Sequence, residues 1–233
     1  MHAAVYETPF GVIATLPVAL EIGLERLAPE ERARAVELPA PRRATWVAGR
    51  VALRTAAVHL GVTPPAILSD ERGAPALPRA LTGSISHKET IAVALATLRQ
   101  GSSHVGVGVD VEYDRPTRVD VARRVLTDAE RAALDGLTPE ERDRRVRVAF
   151  ALKEAIYKSI DPACRRYVGF KEVELAGLSG LEPGEVVVRA LLSPSPGALS
   201  IRAAWHASKD TLGTPVVIAV ATAFASNEDP LGS

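Results

Sequence analysis

The clearest alternation of apolar and polar positions runs from Val105 to Glu112. Valine occupies every second position, and the positions between hold two glycines and then two acids, Asp110 and Glu112. Side chains of a strand point alternately to its two faces, so the pattern predicts a β-strand with one apolar face and one face bearing both carboxylates. Gly106 and Gly108 on the carboxylate face indicate that a helix or a ligand approaches the backbone closely there.

A helical period appears further along the chain. Val148, Leu152 and Ile156 recur at intervals of four residues, and alanines beside them widen the stripe, so a helix with one buried face is predicted. Glu154 and Lys158 lie together on the opposite side of this helix. A solvated Glu–Lys pair would also explain them, and neither the helix nor the strand decides a function alone.

The remaining segments predict a mixed chain of helices and strands. Helices are expected from residue 28, over about 42–60, over about 127–137, and from 138 to just before Pro162. Strands are expected within 3–18, at 83–87, 90–96 and 105–112, and at about 169–175, 186–192, 199–205 and 216–223.

The order of these elements predicts the fold class. The strand at 105–112 is expected to complete an antiparallel meander with the two strands before it, and the last four strands to form another antiparallel sheet. Helices followed by strands, twice over, predict an α+β fold of two similar halves, each with an antiparallel sheet packed against helices. The expected division is 1–115 and 116–225, with a disordered tail at 226–233.

Composition limits the kinds of binding partner and the cellular compartment that we expect. Lys plus Arg and Asp plus Glu each number 28, so the formal charge is zero and no nucleic-acid partner is expected. The single cysteine, Cys164, excludes an intramolecular disulfide. Residues 1–20 do not resemble a secretory signal, and no apolar run is long enough to span a bilayer. We expect a cytoplasmic protein without a membrane segment.

The strand and the helix together propose a site. Asp110, Glu112 and Glu154 supply hard oxygen ligands of the kind that magnesium takes, with Lys153 and Lys158 beside them. Lysines next to a magnesium site indicate an anionic substrate such as a phosphate ester. A site built between the two halves is expected.

A second basic feature lies on the helix predicted at 42–60. Arg43, Arg50 and Arg54 fall within one narrow stripe of this helix. Partly covered guanidinium groups need an anion. Either Glu30 or Glu31 supplies it, or the side chains extend to solvent, or a ligand phosphate binds them.

Several short motifs follow one another in a fixed order between about residues 42 and 170. They are Gly49-Arg50, Gly73-Ala74-Pro75 with Leu77-Pro78, Gly83-Ser84-Ile85-Ser86-His87, Gly108-Val109-Asp110-Val111-Glu112, the run from Phe150 to Lys158, and Gly169-Phe170. In this order and spacing, the chain resembles the Sfp-type 4′-phosphopantetheinyl transferases, and within them the branch typified by the enterobactin-synthesis enzyme.

The resemblance implies a pseudo-twofold α+β monomer that binds coenzyme A in the cleft between its halves. Such an enzyme transfers the phosphopantetheine arm to a serine of an acyl or peptidyl carrier protein of a polyketide, nonribosomal peptide or fatty-acid synthase, and releases 3′,5′-ADP. By motif position, the residues that would hold magnesium on the pyrophosphate are Asp110, Glu112 and Glu154. Those that would contact coenzyme A are Arg50, Ser86, His87, Asp110, Lys153 and Lys158.

The resemblance also implies catalytic roles. Glu154 would act as base for the serine hydroxyl, directly or through a metal-bound water. Lys158 would stabilise or protonate the leaving phosphate, and Asp110 would complete the catalytic group. Many surfactin-type members have a lysine where this chain has Ala74. The contact of that lysine with the nucleotide 3′-phosphate is then missing, or is supplied by Arg43, Arg54, Arg79 or Lys88.

Two other functions stay open at this stage. A magnesium-dependent phosphodiesterase would use water in place of the carrier serine, and a non-catalytic module would only bind nucleotide or carrier. For the carrier, the segment 119–137, with Arg123 and Arg124, is the candidate docking surface. An ordinary amphipathic helix is the alternative for that segment.

Overall fold

A computed structural model describes residues 3–19, 23–116, 121–193, 195 and 197–226. The predicted tail, apart from Ser226, and residues 119–120 of the candidate docking segment lie outside the described residues. Within the described ranges, no helix combines the length and the apolar character that crossing a membrane requires.

The structure contains five α-helices and ten β-strands within these ranges. The helices are α1 Pro29–Val36, α2 Ala40–His59, α3 Ala122–Val125, α4 Asp128–Ala132 and α5 Pro139–Cys164. The strands are β1 Ala4–Thr8, β2 Gly11–Pro17, β3 Leu81–His87, β4 Ile91–Leu98, β5 His104–Tyr113, β6 Val173–Leu175, β7 Gly184–Val186, β8 Val188–Ala190, β9 Leu199–Lys209 and β10 Pro215–Ala225.

The long helix α5 begins where the sequence predicts but extends further. Thr138 caps its N-terminus, because its hydroxyl accepts from the backbone N–H of Glu141 while the Glu141 carboxylate accepts from the backbone N–H of Thr138. The predicted end before Pro162 is wrong. Pro162 lies in the last turn, with its ring beside Gly106 of β5, and the helix ends at Arg165 in a left-handed conformation.

Two four-stranded antiparallel sheets form the body of the protein. Their strand orders are β1-β2-β4-β3 and β5-β10-β9-β7, and β6 and β8 form a separate two-stranded sheet. The predicted meander is therefore wrong, since β5 pairs with β10 and not with β4. The prediction that the last four strands form one sheet is wrong as well, because β6 and β8 pair only with each other.

Three apolar cores stack the elements into four layers. The core between α2 and the first sheet includes Val51 and Ala94, and the core between α5 and the second sheet includes Leu152 and Ala219. A third core, which includes Val109 of β5, lies between the two sheets. The order is helix, sheet, sheet, helix, an α+β fold with antiparallel sheets packed against helices.

The sheet topology places β5 with the later strands of the chain. β5 hydrogen-bonds along its length with β10, and the segment 99–103 connects it to β4 of the other sheet. The division between residues 115 and 116 stays a prediction. The pseudo-twofold relation between the halves stays a prediction.

Two serine hydroxyls join the edges of the sheets. Ser84 Oγ accepts from the backbone N–H of Val109 at 3.1 Å, and Ser86 Oγ accepts from that of Val111 at 3.3 Å. These N–H groups face away from β10, and the serines satisfy them in place of another strand. The edge strand β3 therefore lies beside β5, although they belong to different sheets.

The glycines of β5 allow α5 to lie directly on the strand. A side chain at Gly108 would overlap the carbonyl oxygen of Ala155, and one at Gly106 would come within 2.9 Å of the carbonyl oxygen of Ser159. The close approach predicted at these glycines is confirmed, and the approaching group is the helix. This contact brings α5 next to the acids of β5.

Candidate active site

A cleft of about 1020 Å³ opens between the two halves. α1, α2, the loop at 68–75 and β3 form one wall, and α5 forms the opposite wall. Its lining includes Arg42, Trp46, Arg50, His87 and Lys158. Cationic side chains from both halves therefore face one shared space.

Asp110 lies where β3, β5 and α5 meet. It is 5% exposed, and its Oδ1 accepts from Ser86 Oγ and from Lys158 Nζ, both at 2.8 Å. Its Oδ2 is buried and has no hydrogen-bond partner among the described residues. A buried carboxylate oxygen without a donor is unfavourable unless a cation or a ligand donor binds it. Asp110 thus offers one free oxygen ligand.

Glu154 of α5 lies close enough to Asp110 for their charges to interact. Partial burial and the charge of Asp110 raise the pKa of Glu154, while Lys158, Lys88 and Arg124 oppose the rise. In the described part of the chain, its carboxylate takes part in no hydrogen bond or ion pair. A carboxylate with a raised pKa and free oxygens suits a general base.

Glu112, the third predicted acid, is already paired. Lys88 Nζ donates to Glu112 Oε1 at 2.7 Å. Burial raises the pKa of Glu112, although the Lys88 hydrogen bond acts to lower it. The structure therefore places Lys88 against Glu112 and not in the cleft, where a nucleotide contact was predicted.

The three acids do not form a preformed metal centre. Across the described ranges, no three His, Cys, Asp or Glu side chains are placed to hold a metal ion. Asp110 and Glu154 nevertheless keep free carboxylate oxygens, the hard donors that magnesium takes together with water and phosphate oxygens. The residues present fit an ion held by two carboxylates and completed by substrate.

Lys158 and His87 supply two further polar groups to the cleft. Lys158 Nζ also donates to the carbonyl oxygen of Val109 at 2.9 Å, which fixes the ammonium beside the acids. Partial burial and nearby cations, Lys158 first and Arg42 among them, lower the pKa of His87. The imidazole is then neutral near pH 7 and acts as a hydrogen-bonding group.

Arg50 is the member of the predicted arginine stripe that lines the cleft. Its guanidinium donates to the carbonyl oxygen of Ile67 at 2.7 Å and to Ser69 Oγ at 2.9 Å, and it stacks on the Trp46 ring at 4.6 Å. Burial lowers its pKa to about 10. Arg50 therefore positions the loop at 68–75 and places a positive charge in the wall.

The predicted nucleotide contacts of Arg43 and Arg54 are corrected to structural ones. Arg43 donates to backbone carbonyl oxygens at and just after the end of α1, at 2.9–3.3 Å, and so stabilises the C-terminus of that helix. Arg54 Nη2 lies 2.5 Å from Glu31 Oε2. Glu31 is thus the anion that the sequence left as an alternative.

The predicted phosphate contact of Lys153 is also corrected. Lys153 is 2% exposed, and its ammonium donates to Glu130 Oε2 at 2.6 Å and to the carbonyl oxygens of Val125 and Phe170 at 2.9 and 3.1 Å. These bonds use all three ammonium protons. Successive helical residues point about 100° apart, so Glu154 reaches the acids of β5 while Lys153 enters the interior.

Breaking the buried Lys153–Glu130 pair is expected to destabilise the fold strongly. Lys153→Met leaves the Glu130 carboxylate buried without its cation, and the free energy of unfolding should fall by about 3–5 kcal/mol. The double variant Lys153→Met/Glu130→Leu should cost clearly less than the sum of the two single variants. Urea denaturation followed by circular dichroism measures all three.

The exposed pair Arg131–Asp128 serves as the control. Asp128→Asn should change the free energy of unfolding by less than about 1 kcal/mol. Additive costs at Lys153 and Glu130 would show that the two side chains are not coupled.

Sequence reasoning missed Arg42, Trp46 and Arg72 in the cleft lining. Arg42 could have been found from the sequence, because it forms a pair with Arg43 at the start of α2. Adjacent helical residues point in different directions, so one of the two arginines had to face outward. Arg72 Nε donates to Asp161 Oδ2 at 2.9 Å, which ties the loop at 68–75 to α5 across the cleft.

None of the proposed substitutes for the lysine absent at Ala74 is among the residues lining the cleft. Arg43, Arg54 and Lys88 are held by other groups, and Arg79 is exposed outside the lining. Arg42 does line the cleft, and within the described residues its side chain has no ion pair.

A second cavity of about 150 Å³ adjoins Glu154. Its walls include the aromatic side chains of Tyr157, Tyr167 and Phe170, and Arg124 also contributes to the lining. An apolar wall with a cation suits a slender chain that carries a few polar groups.

Two protein-family models match this chain, over successive stretches of its length. A model described as the 4′-phosphopantetheinyl transferase N-terminal domain matches residues 28–97, and one described as the 4′-phosphopantetheinyl transferase superfamily matches residues 106–219. The gap between the two matches contains the 99–103 segment that separates the two sheets.

Three curated relatives carry the same description. The chain is 26% identical to 4′-phosphopantetheinyl transferase PptT of Mycobacterium tuberculosis over 82% of this chain and 85% of that protein. It is 30% identical to Svp of Streptomyces mobaraensis over 64% and 61%, and 33% identical to Npt of Nocardia iowensis over 58% and 59%. The matches to Svp and Npt thus span less than two thirds of those proteins.

Proposed function

The chain belongs to the 4′-phosphopantetheinyl transferase superfamily, and we propose that it uses the cleft between its halves to move the phosphopantetheine arm of coenzyme A onto a serine of an apo carrier protein. The observation that carries the proposal is the meeting of Asp110, Glu154 and Lys158 beside a cleft lined by cations from both halves. Coenzyme A bound in this cleft would place its pyrophosphate against these three side chains.

The residues at the junction supply what the reaction needs. The serine oxygen forms a bond to the phosphorus of the phosphopantetheine phosphate, and the bond from that phosphorus to the bridging oxygen breaks and releases 3′,5′-ADP. Glu154, with its raised pKa, accepts the serine proton. Lys158 neutralises charge on the phosphoryl oxygens, and alignment within the cleft supplies much of the rate.

Asp110 and Glu154 would hold a magnesium ion, which would supply positive charge to the pyrophosphate. Asp110 Oδ2 is the oxygen best suited to it, because it is buried and unpaired within the described chain. Ser86 and Lys158 fix the other oxygen of Asp110 and so hold the carboxylate in one orientation.

Arg42 is the residue that we assign to the nucleotide 3′-phosphate. Arg42→Met should raise the KM for coenzyme A by about tenfold, because one charge-assisted contact is lost. It should leave the KM for 3′-dephospho-coenzyme A unchanged, since that substrate lacks the phosphate. Steady-state kinetics with both substrates measures the difference.

The neighbouring variant Arg43→Met provides the matched control. It removes the same charge one residue away, but it should lower the melting temperature without a selective effect on coenzyme A, because Arg43 caps α1. Equal KM changes for both substrates in Arg42→Met would refute the assignment.

The second cavity next to Glu154 would take the pantetheine arm, whose amides and methyl groups suit its aromatic and basic lining. The exposed Arg123 and Arg124 of α3 would face an acidic carrier at its rim. The type of synthase that owns the carrier, the monomeric state, the cytoplasmic location and the enterobactin-type branch stay predictions.

Release of 3′,5′-ADP tests the function against hydrolysis. The protein should release it from coenzyme A and magnesium only when an apo carrier is present. Release at the same rate without a carrier would identify a phosphodiesterase. Coenzyme A binding without release, with or without a carrier, would identify a binding module.

A further inference from the structure

The pair formed by Lys88 and Glu112 sets Glu112 apart from the other two acids. The Nζ–Oε1 distance is 2.7 Å, and the side chains are only 27% and 19% exposed. A short pair that is largely removed from solvent is held more firmly than a surface pair. Glu112 thus finds its counter-ion within the protein.

The backbone around this pair is held by further contacts. Lys88 begins the turn between β3 and β4, and Thr90 of the same turn donates to Asp210 Oδ2 at 2.6 Å. Thr90 Oγ1 also lies 2.8 Å from the hydroxyl of Tyr113, the residue directly after Glu112. Both ends of the ion pair are therefore anchored close to the two charges.

Asp110 and Glu154 present the opposite situation. Asp110 Oδ2 is buried and unpaired, and the Glu154 carboxylate has no ion pair in the described part of the chain. Among the described residues, no three His, Cys, Asp or Glu side chains are arranged so that they could hold a metal ion together. Two acids are thus available to a cation, and the third is occupied.

We propose that Lys88 replaces the metal at Glu112, so that a divalent cation in this protein is held by Asp110 and Glu154 and not by Glu112. The inference deepens the proposed function and rests on it for the identity of the substrate. The competing arrangement is one in which Glu112 leaves Lys88 and ligates the ion when the ion binds.

Manganese binding to the protein distinguishes the two arrangements without turnover. Free Mn²⁺ is followed by electron paramagnetic resonance in the presence of coenzyme A and without a carrier. The decisive variant is Lys88→Met/Glu112→Gln, because it removes both side-chain charges together and keeps the local net charge. Thermal melting checks that each variant is folded.

The double variant should bind Mn²⁺ within about twofold of the wild type. Asp110→Asn should weaken binding by about tenfold or more, since it removes a direct ligand. Lys88→Met alone should tighten binding several-fold, because it frees a carboxylate and removes a like charge. The control Lys171→Met, which removes an exposed positive charge elsewhere, should leave binding unchanged.

Two results would overturn the proposal. One is a double variant that binds Mn²⁺ as weakly as Asp110→Asn, and the other is a wild-type protein that binds no Mn²⁺ with coenzyme A present. A third result is possible, in which the Mn²⁺ affinities follow the predicted order but the protein modifies no carrier. That result would support the assignment of the ligands and would overturn the proposed function.

Discussion

Glu154→Gln is expected to reduce kcat for carrier modification by about a thousandfold at saturating coenzyme A and magnesium. The amide keeps the size of the side chain but cannot accept the serine proton, and a positioned general base contributes about 10²–10⁴-fold to a rate. Loss of a cation ligand adds to the effect. The initial rate of holo-carrier formation measures it.

Glu140→Gln is the control for this variant. Glu140 is an exposed acid in the first turn of the same helix, so its substitution should leave kcat unchanged. Retention of wild-type turnover by Glu154→Gln would contradict the assigned role.

The pH dependence of the wild type follows from the same residue. Burial and the charge of Asp110 raise the pKa of Glu154 above its usual value of 4.5. A base must be deprotonated to act, and kcat/KM reports the groups of the free enzyme, before a cation and coenzyme A bind; it should therefore fall as pH decreases through that raised pKa. The fall should therefore begin at a higher pH than for an ordinary carboxylate. Rates across an acidic pH series measure this limb.

Gly108→Ala is expected to destabilise the fold strongly. The added methyl group would overlap the carbonyl oxygen of Ala155 and lie 3.0 Å from the Cβ of Lys158, so α5 would have to move off β5. Overpacking against the backbone should cost about 3 kcal/mol or more. For a chain of this length, that corresponds to a fall in melting temperature of about 6–12 °C. Differential scanning calorimetry measures it.

Gly180→Ala gives the comparison that isolates the close contact. No atom lies within 4 Å of the position of its added methyl group, and its φ angle is not in the left-handed region, so the melting temperature should stay within about 2 °C of the wild type. A Gly108→Ala protein that melts with the wild type would show that α5 does not need the glycine.

The same contact explains why much of the fold could be predicted from sequence. The valine alternation of β5 and the apolar stripe of α5 are local patterns, and the two glycines indicated where the two elements meet. The partner strand of β5 was not readable, because β10 lies about a hundred residues away and any strand of matching length could have paired with β5.

Some contacts of the candidate site could be predicted from sequence, and others could not. Asp110 and Lys158 meet as expected, because their elements pack directly. Arg43 and Lys153 turned to internal partners, since one step along a helix changes the direction of a side chain by about 100°. The pairing of Lys88 with Glu112 could not be predicted, because it joins two different sheets and local sequence patterns do not show which sheets lie together.

Intact-mass analysis of apo carrier proteins tests the central claim most directly. Each carrier is incubated with coenzyme A and magnesium, with and without a chelator, and with the wild type or Glu154→Gln. The wild type should add the mass of one phosphopantetheine arm to at least one carrier, and the chelator and the variant should suppress the addition. Failure to modify any carrier while coenzyme A is hydrolysed would contradict the account.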